Sequence, residues 1–178
     1  QFETNVFGWQ ELTNLVIPVM RRQGYGRIIQ NSSVLGFVAL PFRGAYNASK
    51  YAIEGLSDTL RLELQGSNIH VSLIEPGPIA SQFRTNAVKA LSKYIDIANS
   101  FHRERYQGVL NRLNKPGPAV PFTLPPEAVL ERVIHALEAS RPQARYYVTF
   151  PTHLFGILKR ILSTRALDVL LAKSGNNN

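Results

Sequence analysis

The sequence predicts an α/β protein with a mostly parallel sheet covered by helices on both faces. Three observations predict this class: short apolar segments alternate with longer amphipathic ones, Gly and Pro follow the apolar segments, and reactive side chains come directly after one of them. The 178 residues are enough for one domain with a sizeable core. The apolar content of 44% and the charged content of 18% are those of an ordinary globular protein.

Apolar residues at helical spacing predict two long helices, at residues 7–22 and 44–65. Their apolar stripes are Leu12, Leu15, Val16 and Val19 in the first helix and Ile53, Leu56, Leu60 and Leu64 in the second. The second helix also has a face of small residues, which permits close approach by a sheet, a cofactor or a partner helix. Gly66 is placed to end this helix.

Residues 27–31, 69–74 and 145–149 are predicted to be strands. Before the last strand, a helix is predicted to start at Pro125 and Pro126 with Thr123 as a candidate cap. Its predicted core stripe is Val129, Val133 and Leu137. The tail is predicted to form a basic amphipathic helix over residues 154–172 that breaks at Ser163 and Thr164.

Tyr46 and Lys50 lie four residues apart, which on a helix places both side chains on one face. A phenol titrates near pH 10, whereas general acid–base catalysis works best with a pKa near the operating pH. A positive charge roughly 5 Å away, at an effective dielectric of about 20, favours the phenolate by on the order of 3 kcal/mol, or about 2 pKa units. The sequence therefore predicts that Lys50 lowers the pKa of Tyr46.

Ser33 precedes Tyr46 by thirteen residues and is placed to hydrogen-bond the same substrate oxygen. Of the seven tyrosines, only Tyr46 has a Lys four residues later. Such a pair alone is usually a solvated helix face. The preceding Ser, the strand before it and the Pro-Gly turn after the next strand together favour the catalytic interpretation.

These residues resemble the later half of a short-chain dehydrogenase/reductase. The resemblance rests on Ser33, Tyr46-xxx-Lys50, Pro76-Gly77-Pro78-Ile79, and Asn5 in Thr4-Asn5-Val6-Phe7-Gly8. Within that superfamily the chain most resembles the bacterial NADP-dependent aldehyde reductases, which look similar to retinol and 17-beta-hydroxysteroid dehydrogenases. The resemblance is close over residues 1–83 and looser beyond. It implies a Rossmann-like three-layer α/β/α fold with a parallel sheet.

The resemblance implies a role for four residues in proton transfer. Tyr46 is the proton donor or acceptor, Lys50 lowers its pKa and binds the nicotinamide ribose, and Ser33 rather than Ser32 orients the carbonyl. Asn5 supports a proton relay from Lys50 to solvent, although an Asn before a helix is also a plausible cap.

The resemblance also implies that the loop after the second strand contacts the nicotinamide. Pro76 and Gly77 fix a turn that lets the backbone come close to a flat ring. The backbone of Ile79 then meets the carboxamide, and Ser81 supplies a hydroxyl where the family usually has Thr.

None of the twelve glycines forms the Gly-xxx-Gly-x-Gly phosphate turn of such folds, and the family's Asn-Asn-Ala-Gly is also absent. We therefore expect residues 1–178 to be the later half of one domain, inactive alone, with the residues that separate NAD from NADP in the other half. The resemblance favours NADP. Residues 84–118 match the family's substrate lid, with a solvated helical pair as the alternative, and residues 151–175 match its C-terminal helices.

The net charge of +8 comes from residues 81–178, because residues 1–80 hold six basic and six acidic side chains. Without a zinc finger, a basic helical stripe or an aromatic ribonucleoprotein pattern, nucleic-acid binding is not predicted. The basic tail helix is suited either to an anionic membrane surface or to covering a substrate pocket or subunit interface, and we favour the second.

The sequence thus predicts an oxidoreductase that transfers a hydride between NAD(P)(H) and an aldehyde, ketone or alcohol at a CH-OH group. The rivals are a non-enzymatic cofactor-binding or interaction protein on the same fold and a membrane-surface protein acting through its tail. Residues 7–22 and 44–65 are candidates for a homo-oligomer interface, with plain core packing as the alternative. The absence of cysteine excludes disulfides and thiolate metal sites. Together with apolar runs shorter than the ~18 residues of a membrane span, it favours a soluble, cytoplasmic protein without a metal.

Overall fold

The computed structural model describes residues 1–114, 117 and 120–176 and has the predicted α/β architecture. Three strands, β1 (Gly26–Asn31), β2 (Ile69–Glu75) and β3 (Arg145–Tyr147), pair in parallel in the order β1-β2-β3. Because all three strands run the same way, their carboxyl ends lie at one edge of the sheet.

Seven α-helices surround the sheet in the described part of the chain. They are α1 (Gly8–Gln23), α2 (Gly44–Glu63), α3 (Phe83–Tyr94), α4 (Arg103–Leu113), α5 (Glu127–Glu138), α6 (Phe150–Ile161) and α7 (Thr164–Asn176). A π-helical turn, Glu3–Phe7, leads into α1, and a 3-10 turn, Val34–Gly36, follows β1. The predicted bounds of α1, α2 and the three strands agree with these to within two residues, whereas the π-helical turn was not predicted.

Two glycines let the chain leave a helix and enter the next strand. Gly24 has a φ of 80°, and its N–H donates to the carbonyls of Met20 and Arg21 at the end of α1. Gly66 has a φ of 78° and follows α2, as predicted. This left-handed backbone is accessible to Gly without a steric penalty, so each residue provides the turn that starts β1 or β2.

Alternating residues of the strands face different helices. Ile28 packs with Leu60 of α2 and Ile17 of α1, while its neighbour Ile29 packs on the other side, against the cluster that contains Ala136 of α5. Helices α1 and α2 therefore cover one face of the sheet and α5 covers the other, which is the predicted three-layer arrangement.

Several residues of the predicted apolar stripes are exposed in the structure. In α1, Leu12, Leu15 and Val19 point away from the sheet, and Leu15 is 66% exposed. Leu56 in α2 is also exposed. In α5, Leu137 is 55% exposed and the adjacent Ala136 is fully buried in its place. Helical spacing predicted that these helices are amphipathic. The exposed residues named here lie on a face that is rotated from the face that meets the sheet.

The tail consists of two helices, because α6 ends at Ile161 and α7 begins at Thr164, as the predicted break requires. Leu167 and Leu171 of α7 are buried against Leu35 and Val38, which follow Ser33 closely in the sequence. The tail thus packs over the loop that leaves β1. No helix in the described ranges is long and apolar enough to cross a membrane.

The predicted lid, residues 84–118, contains α3 and α4, which form a helical pair. The Arg84 guanidinium in α3 donates to the carbonyls of Arg112 and Leu113 at the end of α4 and thereby joins the two helices. Of the predicted exit Lys115-Pro116-Gly117-Pro118, all but Gly117 lies outside the described residues. Thr123 does not cap α5, because its hydroxyl donates to the carbonyl of Val120 and Pro126 occupies the cap position.

Candidate active site

Ser33 lies directly beyond the carboxyl end of β1, in the extended residue that begins the 3-10 turn. Its Oγ accepts a hydrogen bond from the N–H of Leu35 at 3.1 Å and donates a long one, 3.4 Å, to the carbonyl of Pro76. The Pro76 carbonyl also accepts from the N–H of Val34 at 2.9 Å. Ser33 is therefore fixed between the ends of two adjacent strands.

Tyr46 and Lys50 lie in the first two turns of α2, on the side that faces Ser33. The Ser33 side chain lies close enough to the Tyr46 phenol to lower its pKa. Lys50 Nζ lies 5.7 Å from the centroid of the Tyr46 ring and 5.1 Å from that of Trp9, and it donates to the carbonyl of Asn31 at 2.8 Å. The structure thus brings together the three residues that the sequence analysis grouped.

The pKa of Tyr46 is shifted in the direction opposite to the prediction. Burial raises the pKa of the phenol above its ordinary value of 10.0, and the nearby Ser33 side chain and the charge of Arg43 lower it only in part. The prediction rested on the attraction between two charges, whereas the penalty for placing a phenolate in a poorly solvated site is larger.

Lys50 is itself perturbed, because it is only 5% exposed. Burial lowers the pKa of its ammonium to about 8, and the negative charge of Glu54, one helical turn later, raises it in part. Lys50 therefore remains mostly protonated at neutral pH and loses its charge a little above it.

Asn5 reaches the site indirectly, from the π-helical turn before α1. Its Nδ2 donates to Ser49 Oγ at 3.1 Å, and the Ser49 hydroxyl donates to the backbone carbonyl of Tyr46 at 2.8 Å. π-Helical turns occur frequently at functional sites. Asn5 lies inside this turn and caps no helix, so the capping alternative is wrong.

The turn after β2 packs closely against the start of α6, a contact that was not predicted from the sequence. A Cβ on Gly77 would lie 2.1 Å from Thr149 Oγ1 and 2.8 Å from Thr152 Oγ1, two buried side chains at the start of α6. Any larger residue at position 77 would push α6 away from the sheet edge. The volume that a side chain at position 77 would occupy is thus taken by these two threonines.

Ile79 and Ser81 keep groups available for a ligand. Ile79 pairs with Leu124 in a short parallel bridge that uses the carbonyl of Pro78 and the N–H of Ala80. In this geometry the N–H and carbonyl of Ile79 point to the opposite side. Ser81 Oγ accepts from the N–H of Phe83 at 3.3 Å, which leaves its hydroxyl proton free to donate.

Three residues near the site were not identified from the sequence. Phe83 of α3 lies against Tyr46 with ring centroids 5.4 Å apart, and Arg43 places a positive charge near the phenol. Glu54 is buried one turn beyond Lys50. Its spacing of four from Lys50 was a signal that could have found it.

Comparison with known families gives a match to the short chain dehydrogenase model over residues 1–92. An uncharacterised oxidoreductase, YbbO, of Escherichia coli (strain K12) is 43% identical over 171 residues, covering 96% of this chain and 57% of that protein. Human 17-beta-hydroxysteroid dehydrogenase type 1 is 34% identical over 149 residues, covering 83% of this chain and 44% of that protein. The chain thus spans about half the length of these relatives.

Solved structures show the same fold. A short chain dehydrogenase from Burkholderia cenocepacia in complex with NADP aligns with a TM-score of 0.67 and 21% identity, covering 96% of this chain and 58% of that one. A short chain dehydrogenase/reductase from Burkholderia phymatum in complex with NAD aligns with a TM-score of 0.64 and 24% identity, covering 96% and 57%. From the family match and the shared fold we conclude that the chain belongs to the short-chain dehydrogenase/reductase family.

Proposed function

We propose that this chain is the catalytic half of an NAD(P)-dependent oxidoreductase acting on a CH-OH group or the corresponding aldehyde or ketone. The observation that carries the proposal is the convergence of Ser33, Tyr46 and Lys50 beyond the carboxyl end of β1 in a member of this family. Because the chain spans 57% of its bacterial relative, the activity belongs to a protein that also supplies a dinucleotide-binding half. We call that protein the intact enzyme.

Tyr46 supplies the proton. Its raised pKa keeps the phenol protonated at neutral pH, so it is set to donate to the oxygen of a carbonyl as that oxygen becomes an alkoxide. This state favours reduction. The reverse reaction requires Tyr46 as the base and therefore a phenolate, which the buried site disfavours.

Ser33 and Lys50 support this transfer in different ways. The Ser33 hydroxyl, close to the phenol of Tyr46, holds the substrate oxygen there. Lys50 places a positive charge beside the ring, where negative charge develops when the proton leaves. Asn5 holds the catalytic turn through Ser49 and would support proton replacement from solvent.

The residues of the described site fit a nicotinamide cofactor. The N–H and carbonyl of Ile79 and the hydroxyl proton of Ser81 are free at the carboxyl edge of the sheet, beside the turn at Pro76 and Gly77. Lys50 would bind the nicotinamide ribose, as the family resemblance implies. When bound, the cofactor supplies or accepts the hydride. We propose NADP over NAD from the resemblance to NADP-dependent aldehyde reductases; similar structures bind either.

The substrate side of the site is apolar, which supports an apolar aldehyde or ketone. Phe83 packs against Tyr46, and Phe42 packs against Tyr106 of α4 with ring centroids 5.2 Å apart. These contacts join Tyr46 to α3 and Phe42 to α4. We therefore propose that residues 84–118 act as a substrate lid that excludes water from the reacting carbonyl.

The exposed apolar face of α1, with Leu12, Leu15 and Val19, supports a homo-oligomer through α1 and α2. We propose that the intact enzyme assembles through this face and works in the cytoplasm without a metal. Sedimentation of the intact enzyme with Leu15→Glu tests the interface, since a shift to monomer is expected.

Substitution of Tyr46 by Phe in the intact enzyme tests the function. We expect kcat for carbonyl reduction to fall by about 10³-fold because the proton donor is lost, while cofactor affinity changes little. Tyr25→Phe is the matched control, since Tyr25 is exposed and precedes the amino end of β1, opposite the end at which Ser33 lies. Turnover that survives Tyr46→Phe would contradict the proposal, and a protein that binds cofactor without any turnover would support the non-enzymatic alternative.

A further inference from the structure

A buried group of charged side chains lies beneath the proposed catalytic residues. The Arg145 guanidinium at the start of β3 is surrounded by three carboxylates. Nη1 donates to Glu54 and, at 2.6 Å, to Glu75 Oε1, while Nη2 donates to Asp58 at 2.7 Å. Glu75 is 0% exposed, and Ser32 donates to the second oxygen of Glu54. We call Ser32, Glu54, Glu75 and Arg145 the buried network.

Two buried carboxylates of the network share one cationic nitrogen. Glu54 from α2 and Glu75 from β2 both accept from Nη1 of Arg145, and Lys50 is the other cation near Glu54. Asp58, which accepts from Nη2, is also paired with Arg61 at 2.6 Å. Burial and the negative charge of Glu54 raise the pKa of Glu75 to about 8, against the opposing effect of Arg145. Burial lowers the pKa of Arg145, but Glu54 and Glu75 together raise it above its ordinary value. At neutral pH Glu75 therefore holds a proton.

That proton has a place in the geometry. As a carboxylate, Glu75 would leave Oε2 buried without a hydrogen-bond partner in the described part of the chain. As a carboxylic acid, it can share its proton with the neighbouring carboxylate of Glu54. Within the described ranges no three His, Cys, Asp or Glu side chains are placed to bind a metal.

Three members of the buried network adjoin the proposed catalytic residues or their partners. Glu54 follows Lys50 by one helical turn, and Ser32 precedes Ser33. Glu75 precedes Pro76, whose carbonyl accepts from the Ser33 hydroxyl. A Cβ on Gly36 would lie 2.6 Å from Ser32 Oγ and 2.9 Å from Glu54, so the packing leaves no room for these side chains to shift.

We propose that the buried network positions Ser33 and Lys50, and that it does so only while Glu75 is protonated. Loss of the proton leaves two buried carboxylates, Glu54 and Glu75, on one guanidinium nitrogen, and their repulsion moves the ends of β1 and β2 that hold Ser33. Glu54, Glu75 and Arg145 are thus positioning residues, and they touch neither substrate nor cofactor. The kinetic part of this proposal rests on the oxidoreductase function proposed above.

The pH dependence of carbonyl reduction by the intact enzyme tests the positioning. Two protons are required in the alkaline range, one on Lys50 and one on Glu75, so log kcat should fall above pH 8 with a slope approaching 2. In Glu75→Gln, which is permanently neutral, the slope should approach 1, with kcat at pH 7 within about twofold of the wild type. Asp58→Asn is the control: it removes an exposed acid from the same Arg145 and should keep the slope of 2.

Two further measurements separate this proposal from the proposed function. Infrared titration should show a protonated carboxyl band that is lost near pH 8 and is absent in Glu75→Gln, whether or not the protein is an enzyme. Gly36→Ala should lower kcat by about tenfold with little change in KM, because it displaces Ser32 and Glu54 without changing charge. A missing infrared band, or equal slopes in wild type and Glu75→Gln, overturns the proposal. Loss of turnover only in Tyr46→Phe bears on the proposed function instead.

Discussion

Around Ser33, the elements β1, α2 and β2 bury polar side chains against one another, whereas the neighbouring lid helices are mostly exposed. Helix α2 alone buries Asn47, Ser49, Lys50, Glu54 and Ser57. By contrast, α3 has no buried residue, the described part of α4 buries only Arg112, and Phe101 between them is 97% exposed.

This difference separates two tasks. Groups that move a proton must be held to within a fraction of an ångström, and buried hydrogen-bonded polar side chains provide that precision. A surface that accepts substrates of varied shape needs apolar area and freedom to close. Substitutions at the sheet edge should therefore reduce kcat strongly, and substitutions in α3 or α4 should mainly change KM.

The largest effect is expected for Lys50→Met in the intact enzyme. This change removes the charge beside Tyr46 and the hydrogen bond to Asn31, and it removes one of the two cations near Glu54. We expect kcat to fall by about 10³-fold or more. Lys89→Met, in α3, is the control in the lid and should stay within about twofold. If kcat falls to a similar extent in both variants, the buried catalytic residues and the exposed lid do not have the separate tasks described above.

Glu75, the buried acid at the carboxyl end of β2, should make the free energy of unfolding depend on pH. The folded-state pKa of Glu75, about 8, lies above its ordinary value of 4.5, so its stabilising contribution is complete below pH 4.5 and is lost as the pH rises to 8. The loss is of order 4 kcal/mol. Lys50 acts in the opposite sense at higher pH, because its pKa falls from 10.5 to about 8, so stability is regained between pH 8 and 10.5.

Urea unfolding across this range checks the pH prediction. The unfolding free energy should pass through a minimum near pH 8, and Glu75→Gln should remove most of the decline that precedes it. A flat profile for the wild type between pH 5 and 8 would show that Glu75 is ionised in the folded protein.

Ser33→Ala should lower kcat by about 10²-fold, because the substrate oxygen loses one hydrogen-bond donor. Ser32→Ala is the matched comparison, since Ser32 contacts Glu54 rather than Tyr46. It should reduce kcat by less than about tenfold. The reverse order of the two effects would assign the substrate contact to Ser32.

The smallest effect is expected in the lid. Phe83→Ala removes the ring that packs on Tyr46, so KM for an apolar carbonyl should rise by about threefold to tenfold with kcat nearly unchanged. Tyr94→Ala, at a residue 74% exposed, should have no measurable effect. A large loss of kcat in Phe83→Ala would place the lid among the catalytic elements.

The sequence predicted what depends on local spacing. A separation of four residues was enough to place Tyr46 and Lys50 on one face of α2, and the resemblance identified Ser33 as their partner. The sequence also predicted the positions of the three strands and the break between α6 and α7.

What it missed depends on contacts between distant parts of the chain. Glu54 is buried because Arg145, 91 residues later, meets it, and no periodicity in α2 shows this. Leu15 is exposed because the sheet lies against a different face of α1. The pKa of Tyr46 was predicted in the wrong direction for the same reason, since burial by other elements outweighs one nearby charge.

The central claim is that Ser33 and Tyr46 act together on a single substrate oxygen. A double-mutant cycle in the intact enzyme with Ser33→Ala and Tyr46→Phe, read as kcat for carbonyl reduction, measures this directly. If the two residues form a unit, the double variant should be only slightly slower than Tyr46→Phe alone. If the two losses multiply, the residues act independently and the proposed site is wrong.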